Sequence, residues 1–376
     1  MDLSRRNLLI TSAALAAAPA FAADKKDRLI IDGLGGIDDP NIELENRLHP
    51  ETKQPKQDKL SARVLGDLKK SGIAAVNTTL GYVAGPMDPF EFSVKGIADC
   101  DRMIRANPDE LLKVLTAADI ERAHRERKVG LIYGFQNSAQ LGDKVERVDL
   151  FADLGLRILQ LTYNPENQLG GGSLAGDKPL TEFGRAVIAR ANDKNLLVDL
   201  SHSGERICLD AAAATRRPIT ISHTGCRALH DLPRNKTDQE MKAVADKGGV
   251  VGIYFMPFLV PNGRPMASDL LDHIEHAINV IGEDHVSIGT DGTVSQIDNL
   301  DDYKRAVRLE VEERVKAGIS APGEGGDINK FVLDLRGPEQ YRKLADLLAA
   351  RGHKSARIDK ILGGNLLRLY RDVWGA

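Results

Sequence analysis

Two histidines in this sequence sit in nearly the same local setting. "LLVDLSHSGE" carries His202 and "RPITISHTGC" carries His223, each closing an apolar run and each followed by Ser or Thr and then Gly. A neutral imidazole offers one lone pair near physiological pH, so a convergent pair suits a metal ion or proton transfer. A histidine alone at such a place is more often a structural hydrogen-bonder. "SIGTDG" ends another apolar run in Asp291, a carboxylate able to ligate a metal, accept a proton or cap the following loop. Arg234, in "LPRN", has the planar fork that grips a carboxylate bidentately, or that makes an ordinary surface ion pair. His273 and His276 stand i,i+3 and share one face of a helix, but no strand-end carboxylate accompanies them. The other histidines lie in polar or helical contexts.

What could bring these residues together is a set of short apolar runs. Candidate strands cover 28–34, 73–80, 129–136, 157–164, 196–202, 218–224, 248–255 and 285–291. Each is continuously apolar rather than alternating, as in parallel strands covered on both faces. Between them lie amphipathic helical patterns such as "SARVLGDLKKSG" and "EFGRAVIARANDKN", ending near Gly or Asn. Eight such units in succession predict an α/β fold, a (β/α)8 barrel; an open doubly wound sheet has no need of eight evenly spaced strands. "SAPGEGGD", 320–327, reads as a surface loop after the last strand, and two closing helices are expected around 337–351 and 356–371. In a barrel the carboxyl ends of the strands converge on one face. His202 and His223 end the fifth and sixth candidate strands and so belong side by side there, with Asp291 joining from the eighth.

The bulk properties bound the function. The 376 residues are 42% hydrophobic and 28% charged with a net charge of −3, ordinary for a globular chain with a large core. Near-neutral charge without basic–aromatic runs excludes a general nucleic-acid surface. The start, "MDLSRRNLLITSAALAAAPAFAADKK", reads as an export signal over 1–22, with Ala20-Phe21-Ala22 as cleavage site and 23–376 as one barrel domain. Ser4-Arg5-Arg6 before Asn-Leu-Leu resembles a twin-arginine signal, which implies a periplasmic protein exported already folded. The apolar part is too short for a stable membrane span. The three cysteines, Cys100, Cys208 and Cys226, match no zinc spacing and read as small buried hydrophobes, although an exported chain could form one bridge. A homodimer is compatible with the sequence, which does not decide the oligomeric state.

Longer stretches resemble a known family. "LTYNPENQLGGGSLAGDKPLTEFGRAVIARANDKNLLVDLSHSG", "PITISHTG", "LPRNKTDQEMKAVADKGGVVGI", "VSIGTDG" and "ILGGNLLRLYRDV" are similar, in order, to the membrane (renal) dipeptidase family of zinc peptidases. The resemblance implies an amidohydrolase-like barrel, two zinc ions sharing a bridging glutamate, and hydrolysis of dipeptides. It implies that His202 and His223 ligate the second metal, that Asp291 contacts the first and handles the proton of the attacking water, and that Arg234 holds the substrate carboxylate. Three positions depart. The first strand reads Asp32-Gly33-Leu34-Gly35-Gly36 where the family has Asp-Gly-His-x-Asp; Gln136 replaces the bridging glutamate; Tyr163 replaces a substrate-polarising histidine. A neutral amide does not let two dications sit close together. The expectation is therefore one zinc ion on His202 and His223, with Asp291 and Gln136 as further oxygen donors and a water in the open position. Gln136 is equally a structural amide, and Tyr163 either a hydrogen-bond donor to a developing oxyanion or an aromatic packed at the rim. The functional expectation is an exported metallodipeptidase-like hydrolase acting on dipeptides or related small amides. Its alternative is a repurposed or non-catalytic relative that binds or tailors an exported peptide metabolite.

Overall fold

The computed structural model of the protein describes residues 27–53, 57–175 and 177–375. The export signal expected over 1–22 lies outside the described residues. Nine parallel strands form the sheet: β1 (Ile30–Asp32), β2 (Ile73–Thr79), β3 (Leu111–Lys113), β4 (Val129–Phe135), β5 (Leu156–Gln160), β6 (Leu197–Asp199), β7 (Thr220–Thr224), β8 (Val250–Ile253) and β9 (Val286–Ile288). Their order is β1-β2-β4-β5-β6-β7-β8-β9, with β3 paired to β4 outside the ring. The eight strands on that path are the eight read from the sequence. β3 went unread because three residues carry no usable periodicity. The sheet closes on itself where the Gly33 amide donates to the Ile288 carbonyl (3.0 Å) and the Asp291 amide to the Leu34 carbonyl (2.9 Å). The result is a nearly closed (β/α)8 barrel.

Helices follow the strands for local reasons. Ser61 caps Ala62–Ser71, which ends at Gly72 in the left-handed region (φ 69°), and Thr181 caps Glu182–Asp193. Thr237 and Glu240 close a capping box on Asp238–Ala245. The helices bury apolar stripes against the sheet; Val187, Ile188 and Ala191, for example, are buried beside β5 and β6 residues such as Leu159 and Val198. After β9 come a long helix, Leu300–Lys316, then Gln340–Ala350, and a final run in which Ser355–Asp359 and Asn365–Trp374 flank a π turn at Lys360–Gly364. The last two stretches are the expected closing helices. No helix among the described residues is long and apolar enough to cross a membrane. Cys100, Cys208 and Cys226 are all buried, and no disulfide joins them, which fits the small buried residues expected of them.

Two features of the barrel wall bear on its mouth. The β7–β8 ladder slips between Ile221 and Thr224, the stretch that carries Ser222 and His223. The Ser222 carbonyl is crowded by β8 and β9: a Cβ on Gly252 or Gly289 would lie 2.1 or 2.0 Å from it. Only glycine lets the walls approach that closely, which seats His223 at the rim.

Candidate active site

β6 ends in Asp199 and runs on to Ser201 and His202; β7 carries Ser222 and His223. Both imidazoles are buried and turn toward each other, with Nε2 to Nε2 at 3.0 Å. The far side of each ring is held. His202 Nδ1 lies 2.6 Å from Asn164 Oδ1, and His223 Nδ1 lies 2.9 Å from Ser222 Oγ. Behind them the Asp199 carboxylate receives both hydroxyls and both amides of Ser201 and Ser222, at 2.5 to 3.0 Å. Burial, and then the positive charge of Arg234, hold both histidines well below their ordinary pKa, so they are neutral at physiological pH.

His202 opens into a cavity of about 220 Å³ that it shares with Tyr163, Arg234 and Asp291. The Tyr163 ring stacks on His202 with centroids 4.1 Å apart. Burial pushes the Tyr163 phenol above its ordinary pKa, so it stays a proton donor. Arg234 is 2% exposed, yet among the described residues it forms no ion pair; its guanidinium donates from Nη1 to the Ser201 carbonyl (2.8 Å). It is therefore buried and makes no surface ion pair. Asp291 has a left-handed backbone (φ 54°), a sparsely populated conformation for a residue with a side chain. Burial pushes its carboxyl up to about 6, against the opposing pull of Arg234, Lys330 and Arg314. Met256, Phe258 and Ile328 supply an apolar wall.

The rest of the lining comes from residues that sequence reasoning passed over. Arg314, on Leu300–Lys316, holds Glu324 through both carboxylate oxygens at 2.7 Å and donates to the Tyr163 hydroxyl at 3.3 Å. Lys330 pairs with Glu310 at 2.5 Å. Glu324 lies within "SAPGEGGD", so that segment is not simply a surface loop: its glutamate turns inward and closes the cavity with Arg314. Nothing in the local pattern marked these four, because exposed-looking charges on a helix and a Gly-rich loop read as solvated until the fold lays them across a cavity.

The remaining candidates fall elsewhere. Gln136 is half-buried and donates from Nε2 to Thr79 Oγ1 (2.7 Å); it does not line the cavity. Leu34 is buried, and Gly36 bridges to Thr293 through the amide it donates to the Gly292 carbonyl. Asp32 is spent on barrel closure, accepting from the amide and hydroxyl of Thr290 (2.8 and 2.6 Å) and from the Tyr341 hydroxyl (2.8 Å). His273 accepts from the Cys226 amide and faces the Leu259 carbonyl, and His276 pairs with Asp238, so the two do not form a site.

Whether these residues suit a metal can be tested on the donor set. Among the described residues no group of three or more His, Cys, Asp or Glu could hold an ion. The described residues thus offer no donor set for a two-ion centre. The His202–His223 pair alone does suit one ion as a two-nitrogen half-site. His202 Nδ1 faces the Asn164 oxygen, which leaves its Nε2 lone pair turned toward His223 Nε2 at 3.0 Å, where a cation could take it.

Comparison with known proteins agrees with this architecture. Residues 52–321 match the family model described as membrane dipeptidase (peptidase family M19). A Klebsiella pneumoniae protein named for its place in the pqqA 5' region is 28% identical over 302 residues, covering 77% of this chain and 98% of its own. A crystal structure of an amidohydrolase from Pseudomonas aeruginosa superposes with a TM-score of 0.77 at 29% identity, covering 94% of this chain and 98% of that one. A metallopeptidase from Rhodobacter sphaeroides, solved with a phosphinate mimic of the dipeptide L-Ala-D-Ala, has the same fold at TM-score 0.72 and 22% identity, over 93% of this chain and all of that one.

Proposed function

Since the chain belongs to the membrane dipeptidase family (peptidase family M19), we propose that it is an exported dipeptidase-like hydrolase cleaving dipeptides or related small amides that carry a free carboxylate. The observation that carries this reading is Arg234, a guanidinium 2% exposed that makes no ion-pair contact among the described residues and shares its cavity with Asp291. Burying a guanidinium is costly, and a bound carboxylate would add two parallel hydrogen bonds to the longer-range attraction of Asp291. The phosphinate dipeptide mimic seated in the Rhodobacter sphaeroides relative supports the same substrate class.

His202 and His223 would hold one zinc-like ion, which when bound supplies Lewis acidity and lowers the pKa of a bound water. The remaining roles belong to side chains of this protein. Arg234 anchors the substrate carboxylate and so fixes which amide lies in the cavity. Met256, Phe258 and Ile328 take its apolar side chain. Tyr163, kept protonated by burial, donates its hydroxyl hydrogen toward the oxygen that becomes negative as the amide carbon turns tetrahedral. Asp291 accepts a proton from the attacking water and returns it to the leaving amine, a task suited to a carboxyl with a pKa of about 6. The Arg314–Glu324 and Lys330–Glu310 pairs line the cavity without adding net charge.

A second reading has its own observation: Leu34, Gly36 and Gln136 stand where the family's remaining metal ligands would be. It holds that the cavity binds or tailors a peptide-derived metabolite without hydrolysing dipeptides. Metal analysis of the purified protein together with a dipeptide panel separates the two. About one zinc per chain with turnover is expected. Ligand binding without turnover of any dipeptide would favour the second reading.

A further inference from the structure

Asn164 is fully buried, and its carboxamide is committed on both sides. Nδ2 donates to the Ile319 carbonyl at 2.8 Å, in the segment that follows the helix Leu300–Lys316. Oδ1 receives Ser173 Oγ at 2.9 Å and faces His202 Nδ1 at 2.6 Å. The amide cannot be turned round, because two oxygens would then meet at Ile319. An acceptor therefore stands opposite His202 Nδ1, and that nitrogen must carry the proton. Its Nε2 is left with the lone pair. On the other side, with Asp199 ionised, Ser222 gives its hydroxyl hydrogen to Asp199 Oδ2 (2.5 Å) and accepts from His223 Nδ1. His223 Nε2 is thus also a bare lone pair, 3.0 Å from the first.

Two facing lone pairs repel, and neither ring can relieve this by changing tautomer without breaking the bond behind it. We propose that Asn164 is a positioning residue: held by the Ile319 carbonyl, it locks His202 in the Nδ1-protonated tautomer and aims the Nε2 lone pair at His223, which builds the cation-accepting pair. This rests on the reading of His202 and His223 as the ion-holding half-site. It also ties that half-site to the segment that closes the cavity, since the Ile319 carbonyl additionally receives Arg314 Nη2 at 3.4 Å. A polar partner behind a metal-binding imidazole typically governs affinity by about 10- to 100-fold.

The test uses the metal-free full chain labelled with 15N-histidine, with ring-nitrogen shifts and long-range couplings reporting the tautomer of each ring. His202 should be Nδ1-protonated near neutral pH. Asn164→Ala should release it into a mixture of tautomers and weaken Zn2+ binding, measured by competition with a chromophoric chelator, by about 10- to 100-fold. Ser173→Ala, which removes only the neighbouring hydroxyl, should leave tautomer and affinity unchanged. A His202 found Nε2-protonated in the unmodified protein overturns the proposal even if the Asn164 variant fails to fold. So does an Asn164→Ala protein that keeps both the tautomer and the zinc affinity. Absence of dipeptide turnover in a protein showing the expected tautomer and affinity would overturn the hydrolase reading and not this one.

Discussion

At the scale of single residues, the cavity divides binding from proton transfer, and the two are separable by mutation. Arg234→Ala removes the partner of the substrate carboxylate. Hydrogen bonds to charged groups contribute about 1.5–3 kcal/mol, so KM for dipeptides should rise roughly 10- to 150-fold. Steady-state kinetics on a C-terminally amidated analogue should show a far smaller change, because that ligand lacks the charge. Asp291→Asn should instead lower kcat by about 100-fold or more with little change in KM, since an amide cannot accept the water's proton. Asp291 must be ionised to act, and its carboxyl is pushed up to about 6. Activity should therefore rise with pH through about 6 and fall on the acid side, a limb that the asparagine variant lacks. An identical acid limb in wild type and variant would assign that titration to another group.

Elements decide where these side chains point. The segment after β9 was unremarkable in sequence, yet through Arg314 and Glu324 it forms one wall of the cavity. Arg314→Ala leaves the Glu324 carboxylate, 7% exposed, without its partner, and breaking a buried pair this way costs about 3–5 kcal/mol. Denaturant unfolding should register that loss, while Arg314→Met combined with Glu324→Leu should cost much less, since no charge is left stranded. The loop after β1 poses the opposite question. Leu34→His, Gly36→Asp and Gln136→Glu together restore the family's missing ligand types. If the loop keeps the family's course, bound zinc should rise from about one toward two per chain by elemental analysis. An unchanged count would mean that Asp32, tied to Thr290 and Tyr341, has drawn the loop into barrel closure.

At the scale of the whole molecule, the barrel separates chemistry from stability. The cavity lies at the strand carboxyl ends, and the apolar mass lies between sheet and helices. Export after folding is proposed from Arg5 and Arg6 in the sequence alone. Changing Arg5 and Arg6 together to lysine should leave precursor in the cytoplasm on fractionation. Normal export of that double variant would remove the twin-arginine route and leave secretion by another.

Much of this was legible in the chain by itself. Each barrel strand is buried on both faces, so it must be continuously apolar, and that leaves a readable run at each of the eight positions. His202, His223 and Asp291 were legible because they close such runs, and strand ends meet at one face by the architecture alone. Gln136 shares that logic but turns to Thr79, because a strand-end position does not settle where a long side chain finds its hydrogen bond. Arg234 was found through family resemblance; its burial without an ion-pair contact among the described residues is a property of the packed wall. Asn164, Arg314, Glu324, Glu310 and Lys330 had no local signature. Their roles arise from contacts across the fold, such as Asn164 with Ile319 and Arg314 with Tyr163, separated by 155 and 151 positions. Local sequence determines periodicity and therefore the barrel and its rim. Which polar groups are desolvated against one another is decided only when distant segments pack, because burial is a property of the assembled surface.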